Sequence, residues 1–242
     1  MEHYFQPDIV TNILPFLDKD SSFHFLNIAK FLKPQKQILY GKYLFFCYRL
    51  DNACKQYICH VKVKCIPTDI DKYVNLMSME INDDEFDSPI YRLPNNLQSL
   101  RIITEKFNQQ LDHLPKNLQE LHVHDKSEYH KSFGFKQFFD KLPENLKSLS
   151  LISEKYNLSI NNLPNGLQNL ILSDVLEKVT VKFPKSLQSL YIQGHLIKQS
   201  FDDLPNTLIN LTIRSNHYDK SLDNLPPNLR SLIVDCKFCQ IK

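Results

Sequence analysis

LPNNLQSLRI (93–102), LPKNLQELHV (114–123), LPENLKSLSL (142–151), LPNGLQNLIL (163–172), FPKSLQSLYI (183–192), LPNTLINLTI (204–213) and LPPNLRSLIV (225–234) are seven copies of one phrase. Their prolines follow one another at 21, 28, 21, 20, 21 and 21 residues. A period of this length is the signature of a stacked-repeat architecture, in which each unit is one supersecondary turn. Within a copy, the last apolar residues alternate with polar ones, the pattern of a strand buried on one face. Leu100 and Ile102 are expected to point inward, and Ser99 and Arg101 outward. The Leu-Pro-x-Asn stretch reads as a turn into the strand, with proline expected at the second turn position, i+1.

Working outward, a second apolar pair lies seven and three residues before each Leu-Pro: Phe86 and Ile90, Phe107 and Leu111, Phe135 and Phe139, Tyr156 and Ile160, Ile197 and Phe201, Tyr218 and Leu222. This is the return leg that fills the coil. The 20-residue copy is irregular here, with Leu176 and Val179, and the 28-residue copy carries an excess (HDKSEYHKSFG, 124–134) expected to bulge as a loop. One coil cannot shield its own leucines, so neighbours must stack with strands ~4.8 Å apart. The register also runs backwards. Leu76, Met79 and Ile81 precede Leu97, Leu100 and Ile102 by 21 residues, and Ile58, Val61 and Val63 repeat the spacing without a proline. Residues 51–85 are therefore read as degenerate repeats near the N-terminal end of the solenoid; the alternative is an alternating strand in a separate small domain.

Residues 1–50 have another texture. Helical spacing runs through Ile9, Ile13, Phe16 and Leu17, then through Phe23, Leu26, Ile28, Ala29 and Leu32, with Asp20, Ser21 and Ser22 as N-cap chemistry. Pro34 precedes a third apolar segment, Ile38 to Leu50, also read as helical. The expected fold is thus an α+β repeat solenoid, a leucine-rich-repeat-like coil of short parallel strands with an N-terminal helical cap.

Composition narrows function. The 242 residues are 42% hydrophobic and 23% charged, with a net charge of +2, so nothing indicates nucleic acid or an anionic membrane as partner. No secretory signal or membrane-length apolar run is visible, and a cytoplasmic, monomeric protein is expected. Four glycines, at 41, 134, 166 and 194, spell neither phosphate-loop nor dinucleotide fingerprint. Six cysteines, at 47, 54, 59, 65, 236 and 239, are expected to be reduced; Cys59 and Cys65 share the phase of Val61 and Val63 and read as core residues. Cys236 and Cys239 have the spacing of half a zinc site, but the second half would lie at the far end of the solenoid. His122 and His124 could form a strand-borne metal pair, the basis for a remote metal-hydrolase alternative. Register puts Arg101 and Ser150 beside them, and neither is a good third ligand. No cofactor and no catalysis are expected.

The copies FNQQLDHLPKNLQELHV (107–123) and YNLSINNLPNGLQNLIL (156–172) resemble the FNIP repeat, a leucine-rich-repeat variant abundant in amoebae and their giant viruses. The resemblance covers 86–234 and implies a solenoid over 86–242 and a protein-binding role. The string QPDIVTNILPFLDKDSSFHFLNIAKFL (6–32) resembles an F-box, the motif that grips the Skp adaptor of cullin-RING ubiquitin ligases. It implies an adaptor contact through Pro7, Ile9, Ile13, Leu14, Leu17 and Asp18, and a substrate receptor whose site in a viral setting is the host cytoplasm. It departs from that family at Gln6, which replaces a leucine, in a Pro-to-Ile spacing one residue short, and in lacking tryptophan. The plainer alternative is a stand-alone repeat scaffold. For either, the target-binding face is expected at outward strand positions: Arg101, His122, His124, Ile171, Tyr191, Arg214 and Ile233.

Overall fold

The structure, a computed structural model, describes residues 45–46, 60–126, 134–154, 156, 160–173 and 181–236. Ten strands form one parallel sheet whose spatial order equals their chain order. They are β1 (Phe45–Phe46), β2 (His60–Val63), β3 (Ser78–Asn82), β4 (Ser99–Thr104), β5 (Glu120–Asp125), β6 (Ser148–Ile152), β7 (Asn169–Ser173), β8 (Ser189–Leu196), β9 (Asn210–His217) and β10 (Ser231–Cys236). A parallel neighbour in chain order requires a crossover of the whole coil between strands, which is a solenoid.

The register follows the repeat. Met79, Leu100, Leu121, Leu149, Leu170, Leu190, Leu211 and Leu232 lie side by side on adjacent strands. So do Ile81, Ile102, Val123, Leu151, Leu172, Ile192, Ile213 and Val234. From Met79 to Ile213 all are buried, in one core with the return-leg residues. Those form an aromatic file: Phe86 stacks on Phe107 at 5.7 Å, Phe107 on Phe135 at 6.0 Å and Phe135 on Tyr156 at 6.0 Å. Offset stacking of large rings fills a coil wider than leucine alone could fill.

Turns and return legs have no ladder of their own, so side chains satisfy their backbone groups. In all seven copies the leucine three residues after proline donates its N–H to the proline carbonyl at 3.0–3.1 Å. Proline therefore occupies the first turn position, i, and not i+1. It is the acceptor of the closing bond, a role its missing N–H does not hinder. The residue two after proline links coils: Asn96 donates to Val74 O, Asn117 to Asn95 O, Asn145 to Lys116 O and Asn228 to Asn206 O, at 2.8–3.0 Å. Thr207 does the same to Lys185 O at 2.7 Å, and Ser186 to Asn165 O. Gly166 interrupts this column. On the return leg the residue after the aromatic ring is the link. Asp87 Oδ1 accepts the N–H of Asn108 and Asn108 Oδ1 that of Lys136, both at 2.9 Å, which gives the Phe-Asn pair its physical reason.

Four expectations change. Phe45–Phe46 is a strand, inside a segment read as helical, its backbone joining the ladder beside Val61 and Lys62. The described solenoid is otherwise all-β, apart from a single 3-10 turn at Ile70–Lys72; the remaining helical readings within 1–50 lie outside the described residues. Cys65 is exposed, because β2 ends at Val63 and the alternation ends with it. Cys236 is disulfide-bonded rather than a reduced thiol.

Candidate functional site

The sheet's outward face is built by the positions between the buried leucines. Register aligns Lys62, Glu80, Arg101, His122, Ser150, Ile171, Tyr191, Thr212 and Ile233 in a central column. Beside it run Ile103, His124, Ile152, Ser173, Gln193, Arg214 and Asp235. Arg101, His122, Ile171, Tyr191 and Ile233 thus share one line, while His124 and Arg214 lie two residues further along their strands. Ile171 is 37% and Ile233 49% exposed, and Arg101 and Arg214 are exposed. Ser150 is buried between its larger neighbours.

The two ends of the face differ in charge. At the N-terminal end Lys62 Nζ lies 2.6 Å from Glu80, and Arg101 Nε lies 3.8 Å from the same carboxylate. Burial raises the Glu80 carboxyl, but the Lys62 bond and charge, with Asn82 and Arg101, outweigh it and hold it below the usual range. His122 is lowered to about 4, first by burial of its ring and then by the charges of Arg101 and His124. It is therefore neutral at physiological pH, and its Nε2 is buried with no hydrogen-bond partner. The two histidine rings meet edge to face at 6.2 Å. No group of three His, Cys, Asp or Glu residues capable of holding a metal occurs among the described residues. From Ser150 to Ile233 the central column carries no charge. Here Arg214 lies over the Tyr191 ring at 5.9 Å, and the Tyr191 hydroxyl bonds Gln193. Arg214 Nε is 4.0 Å from Asp235, a surface pair of little energetic weight.

A buried polar column at the strand ends escaped the sequence reading. Thr104 donates its hydroxyl to Phe86 O at 3.1 Å, and Ser215 to His217 O at 3.0 Å. In β5 the position is Asp125, buried, whose Oδ2 accepts the Phe135 N–H at 3.0 Å and the Ser153 hydroxyl at 2.5 Å. Asp125 thereby closes the base of the long copy at Phe135, preceded by Gly134 with φ of 132°. The signal was present in the sequence as a small polar residue two after the last inward apolar one. It was hidden because Thr, Asp, Ser and Gly share no single motif.

Comparison with protein-family models and with curated proteins found no match. Among solved structures the chain is similar to CroV588, described as a novel circular LRR protein, with a TM-score of 0.57 at 20% identity. The similarity covers 76% of this chain and 28% of that one, so the chain spans less than a third of that protein's length. Its fold is that of a leucine-rich-repeat-like parallel solenoid. No helix among the described residues is long and apolar enough to cross a membrane.

Proposed function

We propose that this chain is a non-catalytic recognition protein that holds a protein partner against the outward face of its strand ladder. The supporting observation is the in-register row in which exposed Ile171 and Ile233 stand with Arg101 and Tyr191, Arg214 reaching over the Tyr191 ring from the adjacent row. Packing dictates the inward leucines, but nothing in the core requires isoleucine, tyrosine or arginine outward. That mixture of aliphatic, aromatic and guanidinium groups is the chemistry of interface anchors. The finer reading is a substrate receptor of a Skp–cullin-type ubiquitin ligase, of the F-box and FNIP-repeat kind. Its support is the sequence of residues 6–32, with Pro7, Ile9, Ile13, Leu14, Leu17 and Asp18 as the adaptor contact.

Affinity capture from eukaryotic lysate tests both halves. Wild type is expected to retain a Skp adaptor and a second partner. Ile13→Glu should lose the adaptor alone, and Ile171→Asp with Ile233→Asp the second partner alone. Equal adaptor recovery by wild type and Ile13→Glu, or none by either, rejects the ligase reading and leaves a repeat scaffold. A second partner still held by the doubly substituted face rejects the strand face.

A further inference from the structure

We propose that the turn edge of the coils bearing β3 to β6 is a binding site for a linear, uncharged oligosaccharide, separate from the strand face. A groove of about 600 Å³ runs there across four successive coils, lined by Asn75, Met77, Asn96, Gln98, Asn117, Gln119, Asn145 and Lys147. Six of these eight are carboxamides, none is a carboxylate, and the one charge is the Lys147 ammonium. Asn96, Asn117 and Asn145 each spend an amide N–H inward on a carbonyl of the preceding coil, which fixes their side chains. The amides of Gln98 and Gln119 have no side-chain partner among the described residues and stand at the groove, each able to donate and to accept.

A second groove of about 610 Å³ adjoins the first at Asn117 and is lined by Tyr91, His113 and Lys116 among others. Tyr91 is 60% exposed. It occupies the position where other copies carry Asp112, Asp140, Asp202 or Asp223. There the acid serves the next coil: Lys141 contacts Asp112 at 2.9 Å, Asn162 Asp140 at 3.0 Å and Asn224 Asp202 at 3.1 Å. Tyr91 gives up that link and stands exposed on the second groove, which meets the amide groove at Asn117, a choice that stacking of coils does not explain.

The groove selects its ligand by what it lacks. A peptide is held by a free strand edge or by pockets for apolar side chains. Here the carbonyls of Val74, Asn95 and Lys116 accept asparagine amides, and those of Met77, Gln98 and Gln119 each accept two N–H groups of the next coil. These carbonyls are therefore taken, and Met77 is the one apolar side chain lining the first groove. What remains is a file of carboxamides at the coil spacing of ~4.8 Å, roughly 14 Å long. Such a file is matched by a chain of hydroxyls, which donate and accept as carboxamides do. The Tyr91 ring then supplies a flat surface for the apolar face of a sugar.

The full chain is tested on an array of short linear oligosaccharides of glucose, mannose and N-acetylglucosamine, with calorimetric titration of every sugar bound. At least one neutral oligomer is expected to bind. Its affinity should fall by about tenfold or more in Gln98→Ala/Gln119→Ala and in Tyr91→Ala, and stay unchanged in Lys220→Ala, an exposed position away from both grooves. Thermal melting of each variant confirms folding. In the wild type the Gln98 and Gln119 side-chain amide resonances should shift on addition of the same sugar. Binding of none of the oligosaccharides overturns the proposal. So does binding that the Gln and Tyr91 variants leave intact, or bound sugar that leaves both amide resonances unmoved.

Discussion

Several positions depart from the repeat in ways whose cost can be read from chemistry. Gly166 stands where every other copy has Asn, Ser or Thr, and a Cβ built there lies 3.4 Å from the Glu144 carbonyl, an ordinary contact, and 3.3 Å from the mobile end of Lys147. Gly166→Asn is therefore expected to complete the column and restrict the unfolded chain, raising stability by about 0.5–1.5 kcal/mol in denaturant unfolding. Tyr156 and Tyr218 sit in the aromatic file with buried hydroxyls that find no partner. Burial pushes both phenols up, Tyr218 to about 12, with nearby carboxylates adding to it. Replacing either with the Phe of other copies removes an unsatisfied hydroxyl and is expected to leave stability unchanged or raise it by ~1 kcal/mol. A loss above that size would reveal a hydrogen bond at the hydroxyl. His122 titrates lower in the folded than in the unfolded chain. The folded state then binds fewer protons, so the contribution is present above the ordinary histidine pKa of 6.5 and is lost as pH falls from there towards 4. His122→Asn should flatten that part of the stability–pH curve.

The coil is stabilised at three places: leucines within, a proline-closed turn at one corner, and a side-chain link on the return leg. Truncating a leucine such as Leu121 or Leu170 to alanine should cost about 2–5 kcal/mol, because flanking coils fixed by their own ladders cannot collapse into the cavity. The 28-residue coil depends on Asp125. Asp125→Ala leaves the Phe135 N–H buried without its acceptor and the Ser153 hydroxyl without its partner. A destabilisation of about 2–4 kcal/mol is expected by chemical denaturation, the sum of two unsatisfied groups. Asp125→Asn keeps an oxygen in place and should recover part of it. Equal stability of wild type and Asp125→Ala would refute this account of how the long copy closes.

In the described sheet each strand is hydrogen-bonded only to its neighbours in chain order, so stability is transmitted coil to coil. Leu149→Ala, in the middle of the ladder, is expected to lower hydrogen-exchange protection first in β5, β6 and β7. Amides of β2 and β9 should change little while the chain remains folded. Uniform loss of protection over all strands would instead mark a single cooperative unit. The linear arrangement also separates two surfaces, the strand face and the turn edge, so each can be altered without the other.

The repeat, its period and the alternation within Leu-x-x-Leu-x-Ile were enough to name the inward apolar positions of the strands from Leu76 to Ile213 and the outward column from Arg101 to Ile233. Both follow from a local rule, that a coil buries every second strand residue, and a local rule is legible in one copy. The proline's place in its turn, the exposure of Cys65, the strand at Phe45–Phe46, the disulfide at Cys236 and the closure by Asp125 were not legible. Each depends on which carbonyl, N–H or thiol of another coil or segment lies within bonding distance, and a one-dimensional pattern does not carry that distance. The same holds for the amide groove. Gln98 and Gln119 are unremarked polar residues in the chain, and only stacking at the coil spacing sets them in one groove that meets the groove of Tyr91 at Asn117.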